Sequence, residues 1–335
     1  MNEKDDRRKM ALIEIKGLTR KFNDFTAVDH ISFKIMEGEI FGFLGPNGAG
    51  KTTTISMVAT ILDPTSGTAS VEGHDIKDDR SEVRKRIGIV FQDPSLDDEL
   101  TAYENLVFHA VMYDLGGEVM EKRIAELLKL VELEARKNDL VKTFSGGMKR
   151  RLEIARGLLH HPKILFLDEP TIGLDPQTRN HIWEYIEKLN KKERITIILT
   201  THYMDEAEKL ANRIAIIDHG KVIAIDTPDR LKESLEGDVV TLKSRDSKRI
   251  ADALKGMKGC CKVKTHDGTV EIGLKNAEER LPHLLKKLDK FDISSISLHK
   301  PNLEDVFLHL TGKTIREEEG SAKDSMRLRR RVWHR

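Results

Sequence analysis

Short apolar runs, each bounded by polar or glycine-rich stretches, recur along the first two thirds of the chain. They include Ile40-Phe41-Gly42-Phe43-Leu44, Ile87-Gly88-Ile89-Val90-Phe91, Ile164-Leu165-Phe166-Leu167 and Ile195-Thr196-Ile197-Ile198-Leu199. Runs of this length without polar alternation predict strands covered on both faces, the habit of parallel sheets. A different rhythm follows Ser145, where Met148, Leu152, Ala155 and Leu159 recur near a 3.6 period and predict a helix. Helical signals also fill Glu118 to Leu133, and Ile214–Ile217 and Lys221–Ile225 flank a hairpin turn at Asp218-His219-Gly220. Beyond 238 the pattern changes again. Strands over 239–243, 262–265, 269–273 and 293–298 alternate with helices over 247–255 and 278–288, with a turn at Asp267-Gly268 and a last helix from Asn302. That β-α-β-β-α-β order predicts a small ferredoxin-like α+β unit over 238–312.

The chemistry sits where the strands end. After Leu44 come Gly45-Pro46-Asn47-Gly48-Ala49-Gly50-Lys51-Thr52-Thr53, a match to G-x-x-x-x-G-K-[ST] between a strand and a helix start. Glycines let successive N–H groups turn inward onto phosphate oxygens, and the helix N-terminus adds partial positive charge. Lys51 supplies a mobile cation for the β- and γ-phosphates, and the Thr52 hydroxyl a magnesium ligand. The run 164–167 ends in Asp168-Glu169, where Asp168 can hold the metal and Glu169 can orient the attacking water. His202 closes the run from Ile195, on the same sheet edge, and can touch the γ-phosphate. Gln92 closes the run from Ile87 and can ligate magnesium through its amide. A second anion receptor, Ser145-Gly146-Gly147, opens the helix that follows. One triphosphate is already cradled by the first loop, so the economical reading is that this second tip grips the phosphate held by a neighbouring copy.

The order of these motifs resembles the ATP-binding subunit of an ABC transporter, a P-loop NTPase fold with a helical subdomain, across residues 12 to about 230. Gly45 to Thr52 match its Walker A loop, Gln92 its Q-loop, and Ser145-Gly146-Gly147 its signature. Ile164 to Asp168 match Walker B with Glu169 as catalytic glutamate, Gly173-Leu174-Asp175 the D-loop, and His202 the switch histidine. Phe22 stands at the aromatic position that stacks on adenine. Two residues depart from the pattern: Phe144 replaces the usual leucine and Met148 the usual glutamine, the latter resembling the drug-exporter branch. The closing Pro301-Asn302-Leu303-Glu304-Asp305-Val306-Phe307 resembles the C-terminal extension of daunorubicin-resistance-type exporter ATPases.

The resemblance implies ATP and Mg2+ as ligands, with Thr52, Gln92 and Asp168 on the metal. Phe22, Gly45 to Thr53, Gln92, Ser145, Gly146, Gly147 and Asp175 would lie on nucleotide, and Glu169 and His202 would be catalytic. It also implies a head-to-tail pair of copies driving a separate integral membrane permease, with the chain cytoplasmic and peripheral on the inner face of the cell membrane. The expected layout is a disordered start over 1–10, an ATP-binding domain over 11–236 with a helical subdomain near 93–150, the accessory unit over 238–312, and a tail over 313–335.

Composition narrows this further. Charged residues make up 34% of the chain and the formal net charge is +1, so no overall field favours nucleic acid. No apolar run approaches the roughly 20 residues a bilayer-spanning helix needs, and Met1 to Lys9 lack the apolar core of an export signal. The two cysteines, Cys260 and Cys261, are neighbours, which suits a reducing compartment and gives them no catalytic part. Residues 93–117 are the expected contact with the permease, although Leu96, Leu100, Tyr103, Leu106 and Phe108 suit a core equally well. The tail ends in Arg327, Arg329, Arg330, Arg331, Trp333 and Arg335, a composition that predicts disorder or contact with anionic headgroups. The rival reading is an ABC ATPase that acts on nucleic acid or ribosomes without transport. It expects long coiled-coil insertions or a second cassette, and the chain has neither.

Overall fold

The computed structural model describes residues 11–235, 237–254, 260–266, 268–274 and 277–312. The expected disordered start, the Arg-rich tail, Lys255, Glu236 and Asp267 lie outside these residues. The described chain divides into two compact units between Ile225 and Asp226, ahead of the expected domain end at 236. The helix that holds Leu231, Pro228–Glu233, packs on the last helix, Leu303–Thr311, and so belongs with the second unit.

The first unit contains two sheets. Strands β1 (Ala11–Phe22) and β2 (Phe25–Met36) pair antiparallel and continue through β4 (Ser66–Val71) to β5 (His74–Asp75) in the order β2-β1-β4-β5. The second sheet is mainly parallel. It contains β3 (Ile40–Leu44), β6 (Ile87–Val90), β7 (Ile164–Asp168), β8 (Thr196–Thr201), β9 (Arg213–Asp218) and β10 (Lys221–Asp226), ordered β10-β9-β3-β8-β7-β6. Two positive-φ residues, His219 and Gly220, make the turn between β9 and β10, a conformation suited to the right-handed twist of a hairpin.

Alternate residues of the parallel strands sort into two cores. Phe41 and Phe43 of β3, Ile164 and Phe166 of β7 and Ile198 of β8 face the antiparallel sheet and α1 (Lys51–Val58), packing with Ile13, Ile15, Ile55 and Met57. Phe33, Phe41 and Phe43 form a ring cluster with centroids 5.4–5.5 Å apart, within the range of favourable aromatic pairs. Ile40, Leu165, Leu167, Ile197 and Leu199 point to the opposite face and bury helices instead. The unbroken apolar runs follow from this two-sided cover.

Short α2 (Arg80–Arg86) leads into β6, and the helical layer follows. It contains α3 (Ala102–Met112), α4 (Gly117–Leu130), α5 (Gly146–Gly157) and α6 (Pro176–Glu193), with α7 (Met204–Leu210) after β8. Thr101 starts α3 with a reciprocal capping box to Glu104. The candidate contact residues between 93 and 117 separate by helix face. Leu106 is fully buried, and Leu96 and Tyr103 pack partly against the core. Phe108 and Met112 are each 67% exposed, with Val111 on the same helix face exposed too.

At the join of β6 and α5 the chain allows no side chain. A Cβ on Gly88 would lie 2.1 Å from the Gly157 carbonyl oxygen, so only glycine permits this backbone-to-backbone approach.

The second unit opens with α8 (Pro228–Glu233), capped by Thr227, and continues as β11 (Asp238–Ser244), α9 (Ser247–Leu254), β12 (Cys260–His266), β13 (Thr269–Leu274), α10 (Ala277–Leu288), β14 (Ile293–His299) and α11 (Leu303–Thr311). The sheet order is β12-β13-β11-β14, with every neighbouring pair antiparallel. This is the split-βαβ arrangement expected from the sequence. Val240, Leu242, Val270 and Ile272 bury against Ile250, Leu254, Leu284 and Leu288 of α9 and α10. Asn302 and Asp305 form a capping box at α11, and His299 lies 3.0 Å from the Asp305 carboxylate.

Candidate active site

Lys51, Gln92, Asp168, Glu169 and His202 all leave from the carboxyl edge of the parallel sheet, because β3, β6, β7 and β8 end immediately before or within these segments. Ligands of open α/β sheets bind at such an edge. Gly45 donates its N–H to Thr201 O over 3.4 Å, and Ala49 N–H closes onto Pro46 O at 3.2 Å. Gly50 then starts α1 at φ +104°, and a Cβ there would lie 2.4 Å from Ala27 O. Among the described residues, no side chain caps α1. The first N–H groups of a helix have no intrahelical partner, which suits this end to an anion such as a phosphate.

Lys51 is buried and folded back over its own loop. Its ammonium donates to Gly45 O at 2.6 Å and Pro46 O at 3.2 Å and stands 3.5 Å from Glu169 Oε1. Thr52 donates its hydroxyl to Asp168, with the two carboxylate oxygens 3.0 and 3.1 Å away. The Thr200 hydroxyl donates to Asp168 Oδ1 at 2.5 Å and accepts from the Glu169 N–H at 3.0 Å. The sequence reading missed Thr200. Threonines at the buried carboxyl end of β8, Thr200 and Thr201, were the signal available for it.

Glu169 has φ +47°, a left-handed conformation uncommon for a side-chain-bearing residue. Its Oε2 lies 2.9 Å from His202 Nδ1, an ion-pair separation without the alignment of a straight hydrogen bond. Burial alone would raise this carboxyl; the adjacent His202 and Lys51 outweigh it and hold the group below its ordinary value. Glu169 is therefore ionised at neutral pH, which a water-polarising base requires.

Ser145, Asp175 and Phe22 have partners of their own. Gln92 is exposed just past β6. Ser145 caps α5 through a bond to its hydroxyl from Met148 N–H. Asp175 caps α6, accepting from Thr178 N–H at 3.0 Å and Thr178 Oγ1 at 2.6 Å. These two bonds from Thr178 lower the Asp175 carboxyl. The Phe22 ring is 42% exposed, with the Arg20 guanidinium 4.5 Å from its centroid.

Residues 28–172 match the model of the ABC transporter family, and residues 227–311 match the C-terminal domain of DrrA1-3-like ATP-binding proteins. The linearmycin resistance ATP-binding protein LnrL of Bacillus subtilis is 41% identical, over 91% of this chain and 100% of its own length. The chain belongs to the ABC transporter family. The daunorubicin/doxorubicin resistance ATP-binding protein DrrA of Streptomyces peucetius is also 41% identical, over 90% of this chain and 92% of its own. Among solved structures, the ATP-binding cassette MJ0796, a dimer in a post-hydrolysis state bound to ADP and Pi, aligns with a TM-score of 0.57. It is 32% identical and covers 64% of this chain and 98% of that one.

As an ABC ATPase the chain binds ATP with Mg2+ and hydrolyses it. The cluster suits both ligands. A glycine-walled helix end and a buried ammonium answer a triphosphate, and one carboxylate beside one hydroxyl answers a cation that keeps waters and phosphate oxygens as its remaining ligands.

Just past His202, Glu206 of α7 is fully buried. Its Oε1 accepts from Thr171 Oγ1 at 2.7 Å and Trp183 Nε1 at 2.9 Å. Burial raises this carboxyl despite hydrogen bonds that lower it. A raised folded-state value means that Glu206 costs nothing below its unfolded value of about 4.5 and costs stability progressively as pH rises through the folded value. Glu206→Gln removes that cost. Its melting temperature relative to the parent is expected to climb as pH is raised from 4.5 and then level off, and thermal melts across pH measure this.

Proposed function

We propose that the chain is the motor subunit of an exporter. Two copies close head to tail around two Mg-ATP and drive a separate membrane permease that moves a drug-like or lipophilic solute outward. The observation that carries the reading is the convergence of Lys51, Thr52, Asp168, Glu169 and His202 on one sheet edge. In this reading Lys51 and the N–H groups from Gly45 to Thr53 hold the phosphates, and Phe22 stacks on the base. Thr52, Asp168 and Gln92 hold Mg2+, which neutralises phosphate charge when bound. Glu169 takes the proton of the attacking water as the water oxygen bonds to the γ-phosphorus and the bond to the β-phosphate bridge oxygen breaks. His202 steadies Glu169 and the γ-phosphate. Ser145, Gly146, Gly147 and Asp175 serve the nucleotide of the other copy.

The exposed apolar face of Phe108, Val111 and Met112 suits a permease loop, because large contiguous apolar surface marks an interaction site. The two resistance-protein relatives support a drug-like cargo, and the cytoplasmic, membrane-peripheral location follows from partnership with the permease. Affinity purification of the chain from native membranes tests the transport reading. Recovery of a multi-spanning permease is the expected result; recovery of ribosomal or nucleic-acid partners in its place would overturn it.

A further inference from the structure

Helix α5 does more than present Ser145 at its tip. Three of its residues, Arg150, Glu153 and Arg156, fall at spacings of three and share one face. Arg150 is only 7% exposed, yet it carries a full guanidinium. Its Nε donates to Pro170 O at 2.9 Å, its Nη2 to Asp168 O at 2.8 Å, and its Nη1 to Phe91 O at 2.6 Å and to Glu153 Oε2 at 3.1 Å. The two carbonyls it holds at the end of β7 are those on either side of Glu169. The carbonyl of Phe91 is the one just before Gln92.

Glu153, 1% exposed, passes the grip along by accepting the Ser95 N–H at 2.8 Å. Arg156 donates to Ser95 O at 3.0 Å and also bonds the Ser95 hydroxyl. The segment bearing Gln92 is thus fastened to α5 at both ends, and the segment bearing Glu169 from both sides.

A guanidinium presents its donors in one rigid plane, so carbonyls bound to a single one cannot move independently. Leaving any of these buried charged bonds unmade is costly, which discourages α5 from tilting without its cargo. From this geometry we propose that Arg150 is a positioning residue: it makes each copy's Glu169 and Gln92 follow the position of its own Ser145-Gly147 tip, and so follow the nucleotide bound by the other copy. The proposal rests on the two-copy reading above. Arg150 touches no reacting atom. It acts by making the two ATP sites of a pair answer to each other.

The test uses the full-length chain, with ATP turnover measured against ATP concentration and melting recorded for each variant. Arg150→Met keeps the aliphatic stem and removes the donors; Arg150→Lys restores the charge on a single nitrogen without the planar fork. Arg150→Met is expected to bind a fluorescent ATP analogue as the parent does, because the phosphate loop is untouched. Its kcat is expected to fall about 10²-fold, the scale of loss for a small misplacement of catalytic groups. Its Hill coefficient is expected to drop to about one, the value for sites that no longer communicate. Arg150→Lys should recover part of both.

A purely structural role predicts otherwise: turnover would fall in step with the folded fraction while the Hill coefficient stayed at the parent value, and that result overturns the proposal. Should Arg150→Met fail to fold, Arg156→Met loosens the Ser95 end alone. A lowered Hill coefficient there supports the coupling and an unchanged one overturns it. A parent chain that neither pairs under Mg-ATP nor shows cooperativity refutes the two-copy reading itself. A cooperative parent with an equally cooperative Arg150→Met refutes only the role of Arg150.

Discussion

Glu169→Gln is expected to bind ATP normally, lose hydrolysis by about 10²–10⁴-fold, and accumulate as a nucleotide-bound pair of copies. The substitution is nearly isosteric, so the Thr200 contact to the residue 169 N–H is kept. What disappears is the negative charge that His202 and Lys51 hold ionised. A neutral amide cannot take the proton from water, and the complex waits in its closed state. Phosphate release measures the first effect, and size-exclusion with Mg-ATP measures the second. Turnover at the parental rate would take Glu169 out of the mechanism.

Lys51→Ala is expected to remove tight ATP binding, with affinity falling by about 10²-fold or more. A hydrogen bond to a charged group contributes about 1.5–3 kcal/mol, and each 1.4 kcal/mol is tenfold in affinity. The variant loses more than a ligand contact. Lys51 also bridges Gly45 O, Pro46 O and Glu169, so its removal leaves a buried carboxylate with one cationic neighbour fewer. Isothermal titration with ATP gives the affinity, and an unchanged value would remove the phosphate-loop reading of residues 45 to 52.

Much of this was legible along the chain, for local reasons. The strands β3, β6, β7 and β8 are apolar runs ended by chemistry-bearing residues, and a helix after Lys51 follows from glycine placement. The ferredoxin-like order of the second unit could be read from turn residues and alternation alone. The antiparallel sheet was not. Strand β1 holds polar Glu14, Lys16, Thr19 and Arg20, and its pairing with β2 shifts register four times, so no clean period marks it.

The roles within the site divide in the same way. Lys51 announces itself through the glycine loop before a helix, and Asp168 and His202 at strand ends. Arg150 and Thr200 act through contacts that join segments far apart in sequence, and nothing in a linear pattern distinguishes Arg150 from Lys149 or Arg151 beside it. Between 93 and 117, composition permits either core or surface for each apolar residue; only the rotation of α3 assigns Leu106 inward and Phe108 outward.

The meeting of Gly88 with Gly157 has an evolutionary consequence. Where main chain rests on main chain, drift has no larger residue to try, and no repacking nearby makes room. Position 88 is therefore closed to substitution even though it lies outside every motif, and a saturation library selected for drug tolerance should return it almost empty.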